Sequence, residues 1–199
     1  MEAATKGTQD GDPDRPVVEG RVFQNNQSDL DFLRGNAVSV SAVEVRGWDP
    51  EQKQEFLATV KAHAQVQSGE DLENFARGVL LENENMEEIA LNFEKITLKH
   101  RSSGRLFGFI PISFMQRVEL DAEGDDAGRV KVKMPWFSFL MRADVSAGDI
   151  EEEAQASIGG NLGNNENWDF GARAEIIASI SNILKTRHEA AMNAIRNLK

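Results

Sequence analysis

The chain has 199 residues, no cysteine and a formal net charge of −11. The absence of cysteine excludes disulfides, thiolate nucleophiles and cysteine-ligated metals, and the acidic balance disfavours generic binding to nucleic acid. No apolar run is long enough to cross a membrane as a helix, and the first residues lack a signal-peptide core, so we expect a cytoplasmic protein. Residues 1–94 carry the whole net charge, whereas residues 95–199 are neutral.

The first 35 residues are rich in Gly, Asp, Asn, Gln and Pro and contain few apolar side chains. Such a segment buries too little apolar surface to offset its ordering entropy. We therefore predict a disordered acidic tail over 1–35, followed by an α+β domain over 36–158. Alternating apolar residues from Val38 onward predict a first strand, with a bulge near Ala42 where the alternation slips.

Two helices are predicted next from their start signals. Asp49 followed by Pro50 is typical of an N-cap and a first helical residue, and this helix is expected to run to about Gln67. Ser68 with Asp71 three residues later is typical of a capping box, and it predicts a second helix over 69–82.

The middle of the chain reads as the sheet. Residues 89–98 alternate as one strand with a phase slip, and residues 102–104 predict a hairpin turn. Two apolar runs, 106–115 and 130–141, then predict two further strands joined by an acidic loop over 121–128. The fold class is therefore α+β, with an antiparallel sheet of about four to five strands packed on two helices.

Both apolar runs contain a proline, Pro111 and Pro135, and each is expected to mark an edge position, a bulge or a bend. After Pro135 the alternation is lost, because residues 136–141 are apolar on both faces except at Ser138. A strand covered on one side only does not explain that pattern. We predict that either the C-terminal helix or something outside this chain covers residues 136–141.

The last third of the chain predicts a short helix started by Ser146 and ending at about Ile158, a flexible Gly/Asn linker over 159–167, and a long amphipathic helix over 168–199. The helical part of this last segment, from about Asp169 to Leu198, would span roughly 43 Å at 1.5 Å per residue. It either packs on its own sheet or overhangs it and binds a partner.

The candidate partner-binding seam of that helix repeats at heptad-like spacing and is interrupted by Arg187. Its members are Ile177, Ile180, Leu184, Arg187, Ala191, Ala194 and Leu198. The leading hypothesis is a non-catalytic structural or interaction protein that self-associates, or binds a helical protein partner, through this seam.

The first alternative is an apolar-ligand-binding or peripheral membrane-associated module that uses an apolar patch. The patch consists of Phe107, Phe109, Phe114, Trp136, Phe137 and Phe139. Cations at Lys131, Lys133 and Arg142 flank its second half, as in membrane-interface segments, although the overall negative charge opposes contact with anionic lipid. The second alternative is a carboxylate-based hydrolase, for which no particular carboxylate pair stands out.

No catalytic, cofactor-binding or metal-binding residue is predicted. The three histidines, His63, His100 and His188, are far apart in sequence and are expected in three separate elements. The acidic loop lacks the spacing of an EF-hand, and the Gly-rich stretch from Gly159 lacks the Lys-Ser/Thr of a phosphate loop.

Overall fold

The computed structural model describes residues 33–35, 37–62, 65–142, 146–162 and 168–196. Its strands are β1 (Val38–Ser41), β2 (Met86–Leu91), β3 (Lys95–Leu106), β4 (Ile110–Asp121), β5 (Val130–Lys133) and β6 (Met141–Arg142). Its helices are α1 (Ala42–Arg46), α2 (Pro50–Ala62), α3 (Gly69–Glu82), α4 (Ala147–Leu162), α5 (Phe170–Arg196) and a 3-10 helix (Trp136–Leu140). The predicted α+β class is confirmed.

All strand pairs are antiparallel, and the spatial order is β1-β2-β3-β4-β5, with β6 pairing with the end of β3. The register places inward-facing residues opposite one another, as in the row Ile89, Leu98 and Val118. Each of these three side chains is completely buried. The sheet therefore has one apolar face under the helices and one face whose outward side chains are largely charged.

One layer of helices covers the apolar face. Helix α3 packs on β1 and β2, α5 packs on β3, and α4 packs on β5. Helix α2 instead packs on α3, on the side away from the sheet, with Phe56 buried edge-on against Trp48. Of the two helices predicted to cover the sheet, only the second lies directly on it.

Side-chain caps fix the starts of all five α-helices named above, including α5, where Asp169 Oδ1 accepts from the Ala172 amide at 2.8 Å. The predicted capping box of α3 is present, since Ser68 Oγ accepts from the Asp71 amide at 3.0 Å and the Asp71 carboxylate accepts from the Ser68 amide at 3.1 Å. Helix α4 opens in the same way at Ser146. At α2, Asp49 Oδ1 accepts from the Gln52 amide at 2.8 Å, so the predicted N-cap is also confirmed.

The predicted bulge near Ala42 is wrong. The strand stops at Ser41, and this residue caps the short helix α1 through a capping box with Glu44. The apparent phase slip arises because Ala42 and Val45 are buried at helical spacing, three residues apart.

The predicted single strand over 89–98 is also wrong, because the slip is a hairpin turn between β2 and β3. Asn92 Oδ1 accepts from the Glu94 and Lys95 amides at 3.1 and 2.7 Å, which closes the turn. Residues 102–104, predicted as a turn, lie inside β3, and the turn falls instead at 107–109.

The second apolar run is not one strand. It begins as β5, leaves the sheet at Pro135, forms the 3-10 helix and returns as the two-residue strand β6 beside β3. Pro135 is thus a bend. Pro111 lies in the half of β4 that pairs with β3 only, because β5 pairs with Arg117–Leu120 alone. Both prolines therefore occupy positions of the predicted kinds.

Other predicted limits differ from the observed ones. Helix α2 ends at Ala62 among the described residues, and 65–67 are not helical. Helix α4 continues four residues into the predicted linker, to Leu162, while 163–167 lie outside the described residues. Residues 1–32 of the predicted tail and residues 197–199 of the predicted C-terminal helix lie outside them, whereas residues 33–35, predicted to be disordered, are helical and Leu33 is buried in the core.

A buried arginine joins the start of α5 to the β2–β3 turn. Arg173 is 1% exposed, and its guanidinium donates to the carbonyl oxygens of Trp168, Asn92 and Phe93 at 2.9, 2.9 and 2.7 Å. Burial lowers the pKa of Arg173 to about 10, so the side chain stays charged at neutral pH. This clamp fixes α5 against one end of the sheet.

Candidate functional site

Two apolar loops meet at the other end of the sheet. The turn between β3 and β4 and the 3-10 helix are joined by a hydrogen bond from the Phe107 amide to the Leu140 carbonyl at 2.9 Å. Pairing of Leu106 with Met141 holds the same two segments side by side. We call the exposed apolar residues of these segments the aromatic tip. The aromatic tip consists of Phe107, Phe109, Ile110, Trp136 and Phe139.

The side chains of the aromatic tip are unusually exposed for their size. Trp136 is 82% exposed, Phe139 75%, Phe109 73% and Phe107 58%. Large aromatic side chains are normally among the most buried in a folded domain, and a cluster of exposed ones marks a contact surface. Within the described part of the chain, neither the C-terminal helix nor any other element covers the side chains of Trp136 and Phe139.

The backbone of the aromatic tip is strained at Phe107, whose side chain is 58% exposed. Phe107 has φ of 54°, in the left-handed region that L-residues avoid. Asn or Gly would fit that position at lower cost, because the left-handed conformation costs a bulky residue about 1–2 kcal/mol. Strain at such a position points to a functional requirement for the side chain.

The structure divides the six residues of the predicted patch. Phe107, Phe109, Trp136 and Phe139 lie in the aromatic tip, whereas Phe114 is only 6% exposed and belongs to the buried face of β4. Phe137 is half-buried, and its ring lies edge-on to Trp136 with centroids 5.8 Å apart. Ile110 joins the tip although the sequence analysis did not single it out.

The segments that carry the tip are cationic. Residues 95–118 and 129–142 together contain nine Lys and Arg residues and no Asp or Glu, so all 33 acidic residues of the chain lie elsewhere. Among the described residues, seven of these nine cations form ion pairs with carboxylates, such as Lys99 with Glu88 at 2.6 Å on the outer face of the sheet. Arg105, one residue before the end of β3, has no ion pair within the described ranges.

The most enclosed carboxylate of the outer face is neutralised by lysines. Glu119 accepts from Lys133 at 2.7 Å and from Lys95 at 3.4 Å, and the hydrogen bond from Lys133 is the main cause of its lowered pKa. Asp121 likewise has a lowered pKa, chiefly through the hydrogen bond from Lys131. A general acid needs a raised pKa, so these carboxylates offer no support for the hydrolase alternative, which stays a prediction.

The seam predicted for partner binding faces the chain's own core over most of its length. Ile177, Ile180 and Leu184 are fully buried, and Ala191 is 7% exposed. Arg187, which interrupts the seam, forms an ion pair with Glu153 of α4. The seam therefore packs against other elements of the same molecule. These contacts do not test self-association, which stays a prediction.

The burial of two further members of the seam is not described. The side chain of Ala194 and the whole of Leu198 lie outside the described residues.

Two of the histidines, which are far apart in sequence and lie on separate elements as predicted, are in contact. His100 on β3 and His188 on α5 have ring centroids 5.8 Å apart with an edge-to-face orientation. His100 is completely buried, and its Nδ1 lies 3.2 Å from Ser102 Oγ. Sequence periodicity held a signal for this pair, because His100 is in phase with the buried Ile96 and Leu98 along β3.

An apolar cleft of about 410 Å³ lies between α2, α3 and α5. Its apolar lining includes Leu57, Val60 and Phe75, and its polar lining includes Lys61 and Glu82, which form an ion pair at 3.1 Å. Among the described elements, the main packing partner of α2 is α3.

Across the described ranges, no group of three or more His, Asp or Glu side chains is placed to hold a metal ion. No helix in the same ranges combines the length and the apolar character needed to cross a membrane. Comparison with protein-family models, with curated proteins and with solved structures finds no match to this chain.

Proposed function

We propose that this protein docks peripherally on an anionic membrane surface by inserting the aromatic tip between the lipid headgroups. One observation carries the proposal: Trp136, Phe139 and Phe109 are each more than 70% exposed on adjoining loops. Those loops belong to chain segments that contain basic residues and no acidic ones. This is the alternative that the sequence suggested, with its patch redrawn by the structure.

The side chains of the aromatic tip suit the membrane interface. Trp and Phe gain free energy when their apolar surface leaves water for the headgroup region, and Trp prefers that depth because its indole N–H stays hydrated. Full burial of a Phe side chain is worth about 1.5–3 kcal/mol. A few partly inserted aromatics are therefore enough for reversible docking.

The charge distribution favours one orientation on the membrane. Basic residues near an anionic surface contribute about 1 kcal/mol each, and the contribution disappears beyond the Debye length of about 8 Å at physiological salt. With the tip inserted, Arg105 lies next to the headgroups. Glu119 and Asp121 lie at the end of β4 opposite Ile110, so an orientation with the tip inserted keeps these two carboxylates away from the anionic surface. Cytoplasmic residence stays a prediction, and it would suit the proposal because the cytoplasmic leaflet is the anionic one.

The proposal is tested by flotation of the full chain with vesicles of phosphatidylcholine, with and without about 30% phosphatidylserine. We expect the chain to float with the anionic vesicles and less with the neutral ones. The variant Trp136→Ser with Phe139→Ser removes two exposed aromatics from the tip and should stay in the unbound fraction. The matched control is Val43→Ser, since Val43 is 77% exposed but lies on α1.

Three outcomes overturn the proposal. The first is failure of the full chain to float with anionic vesicles, and the second is equal flotation of the double variant and the wild type. The third is a concentration-dependent dimer in sedimentation velocity that Trp136→Ser abolishes. That result would assign the tip to a second copy of this chain.

A further inference from the structure

The contact between His100 and His188 is the most unusual polar arrangement inside the described core. Nε2 of His100 and Nδ1 of His188 are both buried, and neither has a hydrogen-bond partner within the described ranges. A buried polar atom without a partner costs free energy, and the cost rises sharply if the group becomes charged. Burial of these two atoms therefore favours the neutral form of both rings, more strongly for the completely buried His100 than for the partly exposed His188.

The surroundings of the pair offer little that would stabilise a positive charge. On the strands, His100 lies beside Met86 of β2 and Gln116 of β4, and its own Nδ1 faces the Ser102 hydroxyl. Lys99 and Arg101 flank it along β3, but their ion pairs with Glu88 and Glu87 are on the outer face.

The charged residues next to His188 on α5 also do little to stabilise a positive charge on either ring. Arg187 precedes His188, and its own charge is taken up by Glu153 of α4. Glu189 follows His188, is exposed, and is the one carboxylate that raises the pKa of His188. Burial outweighs this effect and lowers the pKa of His188 overall.

We propose that the contact between His100 and His188 is an acid-sensitive latch that holds the C-terminal part of α5 on the sheet and is weakened as the pH falls below about 6.5. The latch would regulate membrane docking, and this consequence rests on the proposed function. The opening of the latch at low pH does not depend on membrane docking.

The sign of the pH dependence follows from the direction of the shifts. Burial, and then repulsion from His188, lowers the pKa of His100 from 6.5 to about 3. The opened state, with the rings in water, binds protons more readily than the closed state below about pH 6.5. Opening is therefore favoured as the pH falls, and at pH 5 the closed state is disfavoured roughly 30-fold relative to pH 7.5 through His100 alone.

The position of the latch links it to the tip. His188 lines a small cavity with Phe114 and Met134, and those two residues also line the surface cavity that contains Phe137 and Pro135. Release of α5 at His188 would uncover Phe114 and Leu184 near the base of the aromatic tip. More apolar surface would then face the membrane at low pH.

The latch is tested first without lipid. Hydrogen exchange of the full chain is measured at pH 7.5 and 5.0, and amide protection factors for residues 184–191 of α5 are compared with those for 72–79 of α3. We expect protection of 184–191 to fall at least tenfold at pH 5.0 while that of 72–79 changes less. The variant His100→Met with His188→Gln carries no titrating ring at the contact and should lose this difference.

Controls keep the test interpretable. His63→Gln removes the remaining histidine, which lies outside the described residues, and should behave as the wild type. If the double variant does not fold, His188→Gln alone should show a reduced fall in protection. An equal fall in the wild type and in the folded variants that lack His100 or His188, or no fall in the wild type, overturns the latch.

The lipid arm separates this inference from the docking proposal. We expect flotation of the wild type with anionic vesicles to increase about tenfold from pH 7.5 to 5.0. The variant His100→Met with His188→Gln should show a smaller increase, since protonation of carboxylates reduces the negative charge of both proteins but only the wild type has the latch. An increase that is equal in the two proteins contradicts regulation by the latch. Absence of flotation at both pH values contradicts docking, and the hydrogen-exchange result then decides the latch alone.

Discussion

The two ends of the β3–β4 hairpin differ in what lies over them. At the end near Lys95 and Asp121, the inward residues are covered by helices and the adjoining turn is clamped by the buried Arg173. At the other end, the aromatic residues of the tip are exposed to water, and the turn that carries two of them is strained at Phe107. The same two strands thus serve stability at one end and, on our proposal, contact at the other.

The largest expected effect lies at the clamped end. Arg173→Met removes three hydrogen bonds to backbone carbonyls and leaves those carbonyls without their donor, so we expect the free energy of unfolding to fall by at least about 3 kcal/mol. Urea unfolding followed by circular dichroism measures it. The control is Arg129→Met, because Arg129 forms an exposed ion pair with Asp126 and should cost less than about 1 kcal/mol. A loss of under 1 kcal/mol for Arg173→Met would contradict the clamp.

A pair of Phe→Ala substitutions separates the two roles. Phe114→Ala removes a buried side chain and should lower the free energy of unfolding by about 3 kcal/mol. Phe139→Ala removes an exposed one and should change it by less than about 0.5 kcal/mol, while weakening binding to anionic vesicles about tenfold. Unfolding and flotation of both variants give the comparison, and equal destabilisation by the two would remove the distinction between core and tip.

The strained turn gives a prediction in which stability and docking move in opposite directions. Phe107→Asn places a residue that tolerates the left-handed region where φ is 54°, so the free energy of unfolding should rise by about 1 kcal/mol. The same change removes an exposed aromatic and should weaken vesicle binding several-fold. Phe109→Asn is the control, because it removes an aromatic residue without relieving a positive φ. A lower free energy of unfolding for Phe107→Asn would contradict backbone strain at this position.

The smallest effect concerns charge at the tip. Arg105→Gln should weaken binding to phosphatidylserine-containing vesicles about fivefold, because one basic residue near an anionic surface contributes about 1 kcal/mol. Binding to neutral vesicles should not change, and raising the salt concentration should reduce the difference between the two proteins. A loss of equal size on neutral vesicles would show that Arg105 acts through the fold instead of through its charge.

Features set by neighbouring residues were predictable from the sequence. Asp49-Pro50 and the Ser68–Asp71 pair placed two helix starts correctly, since a capping hydrogen bond spans only three residues. The same signal, Ser41 with Glu44, was present at α1 and was missed because the alternation of Val38 and Val40 was extended across it.

Features set by tertiary contacts were not predictable. Ser102-Ser103-Gly104 has turn composition, yet Gly104 lies in β3, where a Cβ would come within 3.3 Å of the Phe114 ring. The real turn places Phe107 at a position that normally favours Gly or Asn, so no propensity identifies it. For the site, the patch could be named from composition, but which of its aromatics are exposed depends on where Pro135 turns the chain out of the sheet.

The central claim is that Trp136 enters the membrane interface, and its fluorescence tests this most directly. The chain has three tryptophans, so Trp48→Phe and Trp168→Phe leave Trp136 as the one reporter. On addition of vesicles containing phosphatidylserine, we expect the emission of Trp136 to shift to shorter wavelength and to be quenched by lipids brominated near the headgroup. An emission maximum that stays at the wavelength of water-exposed tryptophan, with no quenching at millimolar lipid, would contradict the account.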